Sequence, residues 1–558
     1  MAGQYSAPPL ANYSYAGDGH GRRSTCFSGD GCRAAMTITG IRNIILQELG
    51  LIRAGLHTAA VVGISIVFGP LLLSNYTGLR KKFQREGSDP WSWEAPDAME
   101  EGSLHPPARW LSSAGDDDGS DDAAAGIPWV LLDLEGYVAD HRNSTTAFAL
   151  SPCGKQVQVT FFLARPPRVS YFCAFCPGHG HTEIPVEPMI LAMEGNLVLL
   201  RIVVGHRKTI SEGDGLYIYQ ANGAGHGGAP SLKLLPRAPV GCVFYSDQVG
   251  ILLRHSRLDG GGGGGKDEFV VAALCMLCDP GVSAHLHEGD KVRLEYHRQA
   301  VFVYDSKLDA WRVNIVSLDE QQQQKQPGSP FVHLNSKVIA IGGEAGTMAF
   351  VDLWQGILLC DVLSGNPDLR YVTMPPSIKP GKLPMDDARL FRDIAVVGDR
   401  IVYVEMRNNR KPVLNGSYNF TFDGWKAKTW SMPVAVAAAA SSEEDWSVDC
   451  DIVSSDDIVV DDNPHFELLP KVQDSEGRPM PPFKALATCH PALSLNEDDT
   501  TVYIMIKIDP EDGEAWVIAV DMSNKELSGV AEFPSERIRG GNFAYVHSRI
   551  SKYLTGIR

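Results

Sequence analysis

The chain has no G-x-S-x-G elbow and no H-E-x-x-H pair, so its 558 residues encode neither the serine-hydrolase nor the zinc-protease signature. It also lacks a phosphate loop. Gly260 to Gly265 is an unbroken glycine run, but no Lys-Ser/Thr pair and no strand-to-helix setting follow it. Basic charge is scarce: 50 Lys and Arg stand against 67 Asp and Glu, a formal net charge of -17. Such a surface repels phosphate backbones, so no nucleic-acid partner is expected. An even cysteine count is missing too. Eleven cysteines spread over the whole length do not fit a secreted disulfide framework and point to thiols in a reducing compartment. The N-x-S/T triplets at Asn12, Asn75, Asn143, Asn415 and Asn419 occur often enough by chance not to outweigh that.

What is present divides the chain into five parts. Residues 1–53 contain no lysine and only Asp18, Asp30 and Glu48 as acids, with arginines at 22, 23, 33, 42 and 53. They read as a disordered or targeting tail. Residues 54–79, Ala54 to Leu79, carry no Asp, Glu, Lys or Arg. That length approaches the ~20 residues a helix needs to cross a bilayer, so it is a candidate transmembrane helix. Arg80, Lys81, Lys82 and Arg85 follow at once, and the positive-inside tendency then places the large C-terminal part in the cytosol, single-pass. The alternatives are a soluble protein of cytosol or nucleus, or import into an organelle. Residues 80–126 form an acidic flexible linker around Asp116 to Asp122, where like charges repel.

Residues 127–545 read as all-β. Met348 to Leu353 and Ile357 to Val362 are apolar runs joined by Trp354-Gln355-Gly356, the pattern of a β-hairpin. Val130 to Leu134, Val157 to Leu163, Leu197 to Val204, Phe269 to Leu274 and Trp516 to Val520 continue the rhythm. The hairpins Val502 to Asp521 and Phe302 to Leu318 share one shape. The repeat predicts a β-propeller of about six irregular blades, with a pair of β-sandwiches as the other all-β solution. Gly260 to Gly265, Gln321 to Gln324 and Ala435 to Ala440 with Ser441 to Glu444 read as mobile surface loops, and residues 546–558 as a C-terminal tail.

The order Val338-Ile-Ala-Ile-Gly-Gly, Gly346 to Leu363, Leu369-Arg-Tyr-Val-Thr-Met-Pro-Pro and Asp387 to Val397 resembles the grass-expanded plant family known as domain of unknown function 1618. Trp129-Val-Leu-Leu-Asp, Pro167 to Phe172 and Gly424 to Ser431 fit the same family, so the resemblance covers roughly residues 127 to 545. It implies a plant origin and a propeller-like repeat in the style of F-box-associated domains. It implies no reaction and no catalytic residue, and residues 1 to 126 show no F-box pattern.

Two constellations could carry chemistry. Cys173 and Cys176 precede His179 and His181, and Cys275 and Cys278 precede His285 and His287, all zinc-ligand types. Residues three apart on a strand face opposite sides, however, and a hundred residues separate the pairs, so buried cysteines without metal are expected. Asp386, Asp387, Arg389, Arg392 and Asp393 could do acid–base work, yet Arg–Asp pairs at such turns more often fasten blade to blade. Trp354, Trp425, Trp430 and Trp516 read as packing residues. No cofactor is expected. The sequence therefore predicts a non-enzymatic protein-interaction module with an unknown protein partner and a membrane attachment through Ala54 to Leu79. An enzyme or small-ligand binder using the propeller's central channel is the alternative.

Overall fold

Strand after strand ends on an aspartate whose carboxylate turns the chain. Asp352 accepts from the backbone N–H groups of Trp354 (2.9 Å), Gln355 (3.2 Å) and Leu334 (3.0 Å). Asp305 accepts from Lys307 N, and Asp521 from Ser523 N and Asn524 N. Side-chain capping of this kind makes a tight turn cheap, and apolar runs on either side then pair as antiparallel strands.

The computed structural model describes residues 105–106, 126–205, 214–221, 229–239, 244–254, 268–276, 299–316, 333–365, 367–378, 387–412, 420–438, 445–459, 462–474, 476–509, 514–534 and 544–554. Their strands form six sheets, the blades of a β-propeller. From the inside outward, blade 1 is Met189–Glu194, Leu197–Val203, Asp214–Gln220 and Ser231–Leu234. Blade 2 is Val249–Arg254, Glu268–Met276, Gln299–Asp305 and Ala310–Val316. Blade 3 is Lys337–Gly342, Thr347–Asp352, Gly356–Asp361 and Leu369–Thr373. Blade 4 is Arg392–Val397, Arg400–Pro412, Phe420–Pro433 and Ser447–Ser454. Blade 5 is Ala487–Leu493, Thr501–Lys507, Glu514–Asp521 and Glu526–Pro534.

Blade 6 draws on both ends of the domain. Tyr545–Ser548 lies innermost and pairs antiparallel with Val130–Asp133, in register from Val130 opposite Ser548 to Asp133 opposite Tyr545. Val169–Phe175, Gln156–Phe162 and Ala147–Leu150 follow outward, and Tyr137–Val138 also pairs with Val169–Phe175. This closure removes the exposed sheet edges an open arc would leave at its two ends.

The core is divided among the blade interfaces. Leu132, Phe161, Tyr217 and Tyr219 join blades 6 and 1, while Leu199, Ile251 and Phe302 join blades 1 and 2. Val270, Val303, Phe350 and Leu358 join blades 2 and 3, and Ile357, Leu359, Tyr403 and Trp430 join blades 3 and 4. One larger cluster, with Met406, Trp425, Ile504, Val517 and Leu131, joins blades 4, 5 and 6 and completes the ring. Each large side chain fully buried there contributes about 1.5–3 kcal/mol. Blades 2 and 3 approach so closely at Gly250 that a Cβ would lie 2.6 Å from both Met348 and Val338.

Several sequence expectations change in detail. Val546, His547 and Ser548 belong to the closing strand, and Ile550 and Leu554 are buried against blades 6 and 1. The segment 546–558 is therefore not simply a tail, because its apolar residues find a seat on the ring. The two look-alike hairpins occupy different places: one is the second and third strand of blade 5, the other the third and fourth of blade 2. Ala435 begins within a short helix, Val434–Ala438, rather than a loop, as alanine's strong helix propensity favours. Gly260 to Gly265, Gln321 to Gln324, residues 1–53 and the candidate span 54–79 lie outside the described residues. Among the described residues, no helix is long and apolar enough to cross a membrane.

Candidate functional site

The charged group singled out in the sequence splits between three jobs. Asp387 caps the turn Ala388–Leu390 by accepting from Arg389 N (3.0 Å), and it accepts from Arg389 Nε at both carboxylate oxygens (3.0 Å each). That pairing is local to two residues. Asp386 lies outside the described residues.

Asp393 reaches much further. Lys337 Nζ of blade 3 donates to its Oδ1 at 2.7 Å, and the Leu493 N–H of blade 5 donates to its Oδ2 at 3.2 Å. His547 Nδ1 of blade 6 stands 3.3 Å from the same oxygen, and its Nε2 accepts from Lys337 Nζ at 3.2 Å. One carboxylate thus ties blade 4 to three others. Burial opposes its charge, but Lys337 and the hydrogen bonds around it hold the carboxyl well below the usual carboxylate range. Burial, then the Lys337 charge, lowers His547 against the pull of Asp393. Arg549 completes the stitching, donating to Leu495 O (3.2 Å) and Val396 O (3.4 Å). It also acts on Glu194 of blade 1, a carboxyl that burial pushes up to about 7 against the pull of Arg549.

Arg392 belongs to a second network, between blades 3 and 4. It donates to Leu353 O (2.7 Å) and to Glu405 (3.0 Å), and its guanidinium lies 4.2 Å from the Trp354 ring centroid. Glu405 is fully buried. It also accepts from Arg407 Nε (2.7 Å), Ser377 Oγ (2.7 Å) and Ile378 N (3.4 Å). Buried charges so fully bonded fix geometry more than they add stability. Here they anchor the segment Pro376 to Ile378.

That segment is one wall of an open groove of about 300 Å³ on blade 4. Lys428, Trp430, Trp446, Val448 and Ile452 line it as well. Trp446 Nε1 donates to Thr373 O of blade 3 at 2.9 Å, so the indole is locked. Val448 is 50% exposed and Ile452 43%, as are apolar residues on the outermost strands of blades 2 and 6, such as Ile315 at 56% and Leu150 at 63%. Both lie on Ser447–Ser454, the outermost strand of the blade, whose outer backbone edge has no neighbour in the sheet among the described residues. Lys428 lies 5.3 Å from the Trp430 ring centroid and pairs with Asp451 at 3.0 Å. The groove can bury apolar side chains of an extended chain and bond its backbone, which is chemistry of recognition.

Trp354, Trp430 and Trp425 lie at blade interfaces, and Trp516 packs against the cluster of blades 4 to 6. Cys173 and Cys176 fall in different clusters, one with Tyr137 and Tyr171, the other between blades 6 and 1. Burial pushes the Cys176 thiol up to about 11, with Glu183 adding to it. His179 and His181 are exposed. Cys278, His285 and His287 lie outside the described residues, and among the described residues no group could hold a metal ion. Trp446, Val448 and Ile452 were not singled out from sequence. Their signal is the alternation of apolar and acidic residues from Val448 to Ile452, on a strand too polar to attract notice.

Six blades, the last closed by strands from both ends of the domain, define a six-bladed β-propeller. Residues 350–503, from blade 3 to blade 5, match the model of a family described as "Protein of unknown function (DUF1618)". No curated protein matches the chain. Among solved structures, a Kuenenia stuttgartiensis hydrazine synthase aligns at 13% identity over 70% of this chain and 81% of its own, with a TM-score of 0.26. The GDP-Man-dependent mannosyltransferase MPT-1 from Leishmania mexicana aligns at 10% identity over 62% and 85%, with a TM-score of 0.19. Cobalt-substituted Synechocystis ACO aligns at 11% identity over 76% and 93%, with a TM-score of 0.22. Alignments this loose carry no argument about activity.

Proposed function

We propose that the protein is a non-enzymatic interaction module whose blade 4 groove holds an extended segment of a partner protein. The observation that carries this is the groove that Val448 and Ile452, exposed on the outermost strand of the blade, line together with Trp430 and Trp446, the latter fixed by its bond to Thr373 O. An added strand would supply backbone hydrogen bonds, and its alternate side chains would fill the groove. Glu405 holds the lining segment at Ser377 and Ile378, so binding would order little of that part of the receptor. The order of motifs around Gly346 to Leu363 supports a plant source. The uncharged run Ala54 to Leu79, with basic residues after it, supports a membrane anchor that leaves the propeller in the cytosol.

The competing reading, chemistry in the central channel, draws on the convergence of Lys337, Asp393 and His547. Their bonds are directed at one another, which supports a fastening role instead. The test is selection of random displayed peptides on the full chain. Enriched sequences should carry alternating apolar residues and should lose binding to Trp446→Ala and Ile452→Asp. Failure to enrich any sequence, or binding indifferent to both substitutions, overturns the proposal.

A further inference from the structure

The blade 4 groove does not end where its apolar lining ends. On Phe420–Pro433, Trp425 and Ala427 face the cluster shared with blade 5, so Lys426, Lys428 and Trp430 share the opposite face, where the groove opens. Ser447–Ser454 runs beside it, with Val448 opposite Trp430 and Ser454 opposite Lys426. The lining therefore passes from Val448 and Trp430, by way of Ile452 and Lys428, and leads on to Lys426.

That far end carries more positive charge than its surroundings balance. Arg407 is the direct cross-strand partner of Lys426, a like-charged pair that costs stability. Arg407 donates to Glu405 Oε1 (2.7 Å) and to Oγ of the groove-lining Ser377 (3.3 Å), and 22% of its side chain stays exposed. Glu405 is also the counter-ion of Arg392, at 3.0 Å, so one carboxylate serves two guanidiniums. Lys428 has Asp451 at 3.0 Å. Lys426 is exposed and forms no ion pair among the described residues.

Surplus positive charge at one spot of a chain whose net charge is -17 favours an anion there. A nucleic acid is a poor fit, because the acidic remainder of the surface repels a long polyanion. A carboxylate on a short extended segment meets the surplus without approaching that remainder. Laid along Ser447–Ser454, such a segment would put every second side chain on the groove's face. Apolar ones would meet Val448 and Ile452, and an acidic one would stand beside Lys426.

With the groove as the binding site proposed above, we infer that the segment it holds belongs to a partner protein and carries an Asp or Glu within a few residues of its apolar anchors. That carboxylate docks at the end of the groove marked by Lys426 and Arg407.

Parallel selections of displayed peptides on the full chain and on its Lys426→Glu variant test this. Wild type should enrich alternating apolar residues with Asp or Glu at one end. Lys426→Glu should enrich the same apolar pattern with Lys or Arg in the acidic place. Replacing the acid of the best wild-type peptide by its amide should weaken binding about threefold or more, read by fluorescence anisotropy, and added salt should shrink that difference. Lys426→Glu removes a like charge facing Arg407, so its urea midpoint should not fall, which separates lost binding from lost folding. Peptides that lose binding to Ile452→Asp yet carry no acid, or bind wild type and Lys426→Glu alike, overturn the inference and leave the groove itself standing. Failure to enrich any sequence overturns both. Self-association of the full chain that Ile452→Asp abolishes would put a second copy in the groove and overturn the inference too.

Discussion

Replacing Asp393 by alanine should loosen four blades at once. The substitution leaves the Lys337 ammonium facing the His547 ring without its counter-charge and leaves the Leu493 N–H without an acceptor. Removing one partner of a buried pair costs about 3–5 kcal/mol. The side chains of Lys337, Asp393 and His547 retain 17%, 11% and 10% exposure, so the low end, about 3 kcal/mol, applies to the ion pair. The stranded N–H adds about 1 kcal/mol. Urea unfolding at pH 7, followed by tryptophan fluorescence and far-UV dichroism, should therefore show a loss of about 3–4 kcal/mol. Adding Lys337→Met removes the stranded charge, so the double variant should be at least about 1 kcal/mol more stable than the two single losses predict. The acid limb gives an independent reading. Because folding depresses the Asp393 carboxyl, its contribution is complete above the unfolded value of about 3.9 and fades as pH falls through the lower folded one. The alanine variant should thus lose less stability than wild type between neutral pH and strong acid. A loss under about 1 kcal/mol, or strict additivity with Lys337→Met, would refute the role given to this carboxylate.

Three further outcomes follow from the ring. Deleting residues 544–558 removes the innermost strand of blade 6 together with buried Ile550 and Leu554, and should yield aggregates on size exclusion; a monomer with unchanged urea midpoint would contradict the closure. Gly250→Ala should destabilise by about 1–3 kcal/mol because Met348 and Val338 of blade 3 occupy the space its methyl needs; thermal unfolding that matches wild type would count against the tight interface. Site-resolved alkylation at pH 7 should modify exposed Cys153 well before Cys176, Cys360 and Cys489, whose thiols burial pushes up to about 11, 12 and 12. Equal rates at Cys153 and Cys176 would show that blade 6 opens readily.

The middle strands of the blades were legible because both their faces meet neighbouring blades. Runs such as Met348 to Leu353 and Val502 to Ile506 are nearly continuous apolar sequence for that reason. The edges were harder. Tyr545–Ser548 is four residues long, includes His547, and pairs with a strand at the far end of the domain, so nothing local marks it. Asp393 could be suspected as a blade fastener, but its partners Lys337 and His547 come from distant blades that only the ring brings together. The same holds for the groove: Pro376 to Ile378 and Ser447–Ser454 belong to successive blades, and their meeting depends on how Trp446 seats against Thr373.

Because Val130–Asp133 pairs with Tyr545–Ser548, no ring exists until Ser548 has been made. Blade 6's early strands are made before the other five blades and wait for a partner made after blade 5. Until then the propeller is an open arc, with Trp129 of blade 6 unmatched at one end and its partner Tyr503 of blade 5 at the other. Such an arc is the form that aggregates or engages chaperones, and a premature stop just ahead of Tyr545 would be as damaging as one in the middle of the ring.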